Sequence, residues 1–118
     1  MSHGEVMTYD SLGIRSWKGT YERDTLNGPY EDYYSSGHVR TKGSFLKGKQ
    51  NGAFVEFYDD GKIKTRSEYS NGKHVGEFLE YYPNGALLMR AHYELGFPIH
   101  YMEYDSLGNI VDSKQAPG

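Results

Sequence analysis

Few residues in this chain stand in a pattern that chemistry would need. Asp32, Glu56, Glu80 and Glu103 form a carboxylate row, and paired carboxylates are what glycoside hydrolysis uses. The row recurs about once per 24 residues. If each member sits on the same strand of a repeated hairpin, neighbours stand two strand spacings apart, about 10 Å, and a recurrent row is then read as structural. Gly48-Lys49 has the look of a phosphate-loop ending, but Gln50 follows where Ser or Thr would be needed. The histidines, His3, His38, His74, His92 and His100, show no HExxH or other close ligand spacing. There is no cysteine, so neither a thiolate nucleophile nor a Cys-based metal site exists. The expectation is no catalytic set, no metal and no cofactor.

What remains is aromatic and cationic. Twelve tyrosines and five phenylalanines offset a hydrophobic content of only 36%, against roughly 45–50% on a set that also counts Gly. Tyr and Arg are the residues enriched at binding hot spots. The candidate partner-binding set is Tyr30, Tyr34, Phe54, Tyr58, Phe78 and Tyr82 with Arg40, Arg66 and Arg90. A formal charge of −3 argues against a dedicated nucleic-acid binder. No run approaches 18 apolar residues, so no helix is expected to span a membrane, and the N-terminus has no apolar signal segment. The location expected is cytoplasmic.

The elements that position these residues are set by glycines. Gly4, Gly28, Gly52 and Gly76 open four units at a spacing of 24, and Gly13, Gly37, Gly61 and Gly85 mark a turn in each. A shorter fifth unit starts at Ile99, with its turn at Gly108. A fixed period of this kind marks a repeat array. Leu12 and Leu107 disfavour a two-residue turn that needs positive φ at both positions. A type I turn closing on a left-handed glycine suits Ser11-Leu12-Gly13 and its counterparts. The same three-residue turn is expected at Ser70-Asn71-Gly72 and its relatives. The result is all-β: an antiparallel meander of about ten strands, one domain over residues 4–113, with a disordered tail over 114–118.

Unbroken alternation along those strands predicts two faces. The expected core face carries Tyr9, Tyr33, Phe57, Tyr81 and Tyr104, then Val39, Ile63, Leu87 and Ile110, then the rings Tyr21, Phe45, Tyr69 and Tyr93. Gly19, Gly43, Ser67 and Ala91 leave room between them. The other face carries the candidate set, Tyr101, the carboxylate row, and Lys18, Lys42 and Lys64. Asp32 is expected opposite Arg40, and Glu56 opposite Lys64.

Three segments, GPYEDYYSSGHVRTKGSFLKGK, GAFVEFYDDGKIKTRSEYSNGK and GEFLEYYPNGALLMRAHYELG, resemble the MORN repeats, and more closely their 24-residue bacterial variant. Asp24 and Ile99 depart from its glycine pattern. The resemblance implies an open twisted sheet of hairpins, and binding rather than catalysis. Bacterial chains with this variant are often labelled antitoxin-like. Eukaryotic MORN proteins are linked to phosphoinositide membranes, scaffolding and dimerisation. The function expected is a protein-protein interaction module of the antitoxin or immunity type, its partner a protein such as a toxin. The alternative is a module for an anionic phospholipid surface or a scaffold. A homodimer is also expected, since an open meander leaves edge strands unpaired.

Overall fold

Each unit is closed by two kinds of turn, and only one of them is the three-residue kind. In the computed structural model, which describes residues 3–115 and the side chains of 4–113, the first turns close as expected. The Gly61 N–H donates to the Tyr58 carbonyl (2.9 Å) and the Tyr58 N–H to the Lys62 carbonyl (2.7 Å). The glycine is left-handed, at φ 92°. The second turns differ. Ser70 pairs with Lys73, and both residues between have positive φ, Asn71 at 53° and Gly72 at 85°. Arg23-Asp24, Lys47-Gly48 and Leu95-Gly96 behave alike. These are two-residue turns of the primed kind, whose twist matches that of the flanking strands. The expectation of three-residue turns throughout is corrected at these four places.

The strands are β1 (His3–Tyr9), β2 (Arg15–Glu22), β3 (Thr25–Tyr33), β4 (Val39–Leu46), β5 (Lys49–Gln50), β6 (Gly52–Phe57), β7 (Ile63–Ser70), β8 (Lys73–Tyr81), β9 (Leu87–Glu94), β10 (Phe97–Tyr104) and β11 (Ile110–Gln115). They form one open antiparallel sheet in chain order, with the short β5 pairing only β4. The last strand takes in residues 112–115, with Glu103 facing Asp112 and His100 facing Gln115. Residues 114 and 115, expected in the disordered tail, therefore belong to the last strand, and residues 116–118 of that tail lie outside the described residues. With extents of 49 × 33 × 16 Å, the sheet is one layer thick, so it has two faces and, among the described residues, no second layer over either.

The make-up of those faces is decided by bulges. Asp32 pairs with Thr41, but Tyr33 pairs with Val39, leaving Arg40 extra. The same slip occurs beyond Thr8, Glu56, Glu80 and Glu103. One extra residue reverses the phase of everything after it. Tyr33, Phe57 and Tyr81 stay with Val39, Ile63 and Leu87. The rings Phe45, Tyr69 and Tyr93, with Gly43, Ser67 and Ala91, pass to the other face, beside Tyr30, Phe54 and Phe78. The single core face is thus corrected to two half-faces, each apolar at one end of the strands. Arg40 and Lys64 are not the backbone partners of Asp32 and Glu56; Thr41 and Thr65 are.

Burial is correspondingly thin. Tyr30, Tyr33 and Ala91 are the buried apolar residues, joined by Thr41, Thr65 and Ser67. Tyr9 and Ile110, expected in the core, are 60% and 58% exposed because they lie on the outermost hairpins. The small residues do make room for rings. A Cβ on Gly43 would stand 2.5 Å from the Tyr30 ring, and Gly19 lies beneath Trp17 in the same way.

Candidate interaction surfaces

The aromatic face is built by direct pairing. Tyr30 stands opposite Gly43, Phe54 opposite Ser67 and Phe78 opposite Ala91, so each large ring leans over a small neighbour. Tyr30 meets Phe45 at 4.8 Å, Phe54 meets Tyr69 edge-on at 5.6 Å, and Phe78 meets Tyr93 at 6.3 Å between centroids. His74 joins two repeats, 4.2 Å from Tyr69 and 4.9 Å from Tyr93. Its Nε2 lies 3.0 Å from the Tyr69 hydroxyl, and burial holds its pKa below the ordinary value. Burial, then the nearby Asp32 charge, pushes the Tyr30 phenol up to about 12. The surface is an aromatic pavement, one run of rings from Phe54 to Tyr93 beside the pair Tyr30–Phe45, half covered by its own packing.

Two carboxylates of the row on this face are occupied. Arg40 grips Asp32 through Nε at 3.3 Å and Nη2 at 2.9 Å. The Thr65 hydroxyl donates to Glu56 at 2.8 Å. Asp32 and Glu56 are each held by a partner from their own hairpin, which is the structural reading of these two acids. No group of three or more His, Cys, Asp or Glu suited to a metal exists among the described residues.

Tyr34, Tyr58 and Tyr82 have a different place. Each leaves its strand at the first turn and reaches the following hairpin. Their hydroxyls donate to the carbonyls of Phe57 (2.5 Å), Tyr81 (2.6 Å) and Tyr104 (2.7 Å). The opposite end of the sheet has its own lock. Gly48, Gly72 and Gly96 donate backbone N–H groups to Leu26, Gln50 and His74 at 2.8–2.9 Å. Repeat is tied to repeat at both ends.

Arg66 and Arg90 lie on the other face. There the register draws a row across the sheet: Met7, Lys18, Glu31, Lys42, Val55, Arg66, Leu79, Arg90, Met102 and Ser113. A cation stands on every second strand from β2 to β9. The first two are neutralised. Lys18 lies 3.7 Å from both Glu5 and Glu31, and Lys42 lies 3.5 Å from Glu31. At the next two units Val55 and Leu79 replace the glutamate, and Arg66 and Arg90 are exposed with no ion pair among the described residues. Glu77 and His92 sit one step further along their strands, 3.9 Å apart.

Three surface hollows lie on this cationic face. One of about 410 Å³ is lined by Lys18, Glu31, Lys42 and Val55 among others. Another of about 270 Å³ is lined by Val55, Arg66, Glu68 and Leu79. The third, about 450 Å³, is at the turn end beside Val39, Phe57 and His38. His38 Nδ1 is 2.7 Å from the Asp59 carbonyl and 3.0 Å from its carboxylate, which raises the His38 pKa.

The candidate set read from the sequence is therefore divided. Tyr30, Phe54, Phe78 and Arg40 share the aromatic face, Tyr34, Tyr58 and Tyr82 bridge hairpins at one end, and Arg66 and Arg90 stand on the reverse. The cations Lys18, Lys42, Arg66 and Arg90 recur at a spacing of 24 that the sequence displays; the place of His74 and the alternation of those cations with Glu31, Val55 and Leu79 were not foreseen. Their signal is in pairing register, which one strand alone does not reveal. No curated protein matches the chain. A family model described as MORN repeat variant matches residues 26–47, 50–71 and 75–95. Each match spans one hairpin, β3–β4, β5–β7 and β8–β9, and the chain belongs to the family of MORN-variant repeats.

Proposed function

We propose that this chain is a non-catalytic protein-interaction module, of the blocking kind that an antitoxin or immunity protein represents, acting in the cytoplasm. MORN repeats are generally protein- or membrane-binding modules. The observation that carries the protein reading is the one-layer sheet. None of the described side chains is fully buried, and its aromatic pavement has no covering element. Half-exposed rings such as Phe54 and Phe78, with no second layer over them among the described residues, are what a partner would cover. Phe54 and Phe78 on one face, and Arg66 and Arg90 on the other, are the candidate contacts, while Tyr30 is buried over Gly43. Affinity purification of the tagged chain from its source organism tests it. A stoichiometric protein partner, lost on Phe54→Arg with Phe78→Arg, is expected; recovery of the chain alone would sink the reading.

Self-association belongs to the same proposal. Among the described residues, β1 and β11 each leave one edge unpaired, and β1 holds Met7 and a 60% exposed Tyr9. Such edges template pairing, and a two-fold dimer is the simplest closed form. Sedimentation equilibrium at several concentrations should show a dimer; a strict monomer at high micromolar concentration removes this part.

The membrane alternative rests on the cations Lys18, Lys42, Arg66 and Arg90 in one row. Each would contribute about 1 kcal/mol near an anionic surface, but Glu5 and Glu31 already neutralise two of them. Sedimentation with vesicles that shows no dependence on anionic lipid eliminates it.

A further inference from the structure

The row on the cationic face has a spacing as well as a charge. Arg66 pairs with Leu79, and Leu79 with Arg90, so the two arginines spring from strands two spacings apart, about 10 Å, with an apolar residue midway. Val55 and Met102 continue the alternation on either side. An α-helix laid along this row would rise about 1.5 Å per residue. Positions i and i+7 would then be about 10.5 Å apart, and positions i+3 and i+4 about 4.5–6 Å from i. An extended segment in the same place presents same-side residues at about 6.6 and 13 Å, which misses the second arginine.

We propose that the stretch from Val55 to Met102 docks an α-helix of a partner protein that carries acidic residues seven positions apart, with an apolar residue midway. This deepens the protein-interaction reading and rests on it. Two carboxylates of that helix meet Arg66 and Arg90, and its midway residue meets Leu79. Three features favour this half of the row. Arg66 and Arg90 form no ion pair among the described residues, whereas Lys18 and Lys42 are already neutralised by Glu5 and Glu31. A hollow of about 270 Å³ lies beside Arg66 and Leu79. On the first-turn side the row borders the apolar pairs Phe57–Ile63 and Tyr81–Leu87, which the flank of a helix about 10 Å wide would cover. On the other side stand Glu68 and Glu77, which repel an acidic helix placed too far toward the second turns. The sheet twists by roughly 20–25° per strand, so a straight helix follows the row for only a few strands.

The test uses the whole chain and two helical peptides of one composition, each roughly three heptads long. One carries Glu at i and i+7 with Leu midway; the other has the same residues with Glu at i and i+5. Fluorescence anisotropy at low salt should show the first binding about fivefold or more tightly than the second. Arg66→Ala and Arg90→Ala should each weaken it by about three- to fivefold, as exposed charge pairs do. The double Arg66→Glu/Arg90→Glu chain should lose about tenfold or more, Arg66→Lys should retain most of the binding, and Lys62→Ala should change nothing. Circular dichroism of each variant should match the wild type, since both arginines are exposed. Equal binding of the two peptides, indifference to the arginine variants, or binding only to phosphatidylserine vesicles would overturn the proposal. A protein partner that co-purifies equally with the wild type and the double arginine variant would also overturn it, while leaving the interaction-module reading in place.

Discussion

The hydroxyl of Tyr58 donates to the backbone carbonyl of Tyr81, 2.6 Å away, and so ties one hairpin to the next. Tyr34 does the same to Phe57 and Tyr82 to Tyr104. In an array where each repeat touches only its neighbours, stability depends on such junctions. Tyr58→Phe keeps the ring and removes the bond. It should cost about 0.5–1.5 kcal/mol, read as a lower urea midpoint with an unchanged slope. A midpoint equal to that of the wild type would show that this bond does not hold the junction.

Gly43 lies under the Tyr30 ring, where a Cβ would approach to 2.5 Å. Gly43→Ala should therefore destabilise by about 1–3 kcal/mol through overpacking. Removal of the ring relieves the clash, so Gly43→Ala in a Tyr30→Ala background should cost clearly less. A double-mutant cycle measures the difference, and additive effects would show that the two residues do not share the space.

Leu95 holds φ 49° in a two-residue turn and is 72% exposed. The left-handed region costs an ordinary L residue roughly 1–2 kcal/mol, and asparagine tolerates it better. Leu95→Asn should raise stability by about 0.5–1 kcal/mol, since little burial is lost. Thermal unfolding checks the sign; a lower melting temperature would mean that Leu95 contributes packing that outweighs its strain.

His38 and Asp59 make a pH-dependent contact at a turn. The His38 pKa is raised from 6.5, first by its bond to the Asp59 backbone and then by the Asp59 carboxylate. That contribution is fully present below pH 6.5 and is lost as pH rises through the folded value. The Asp59 pKa is lowered from 3.8, chiefly by the Ser36 hydroxyl. Its contribution is present above pH 3.8 and is lost as pH falls through the folded value. The contact is strongest between the two. An NMR titration should place His38 above 6.5, and Asp59→Asn should bring it back toward that value. A wild-type His38 that titrates at 6.5 or below contradicts the contact.

The sequence by itself determined the period, the hairpins and the first turns. Glycine at positions 13, 37, 61, 85 and 108 admits the left-handed backbone that the turn requires, and that preference is local. The four unit-opening glycines and the alternating rings between turns were enough to specify an open meander. The second turns were less legible, because Arg23, Lys47 and Leu95 are not residues that announce positive φ. Their conformation follows from the neighbouring repeat, to which Gly48, Gly72 and Gly96 are bonded. The faces were decided by tertiary structure alone. A bulge at Arg40 or Lys64 is a mismatch between two strands, and neither strand's own pattern contains it. That one-residue slip sent Phe45, Tyr69 and Tyr93 to the side of Tyr30, Phe54 and Phe78. It also separated Arg66 and Arg90 from the tyrosines with which their composition had grouped them. Local φ preference is written residue by residue, whereas register is an agreement between chain segments, and it is settled only when they pair.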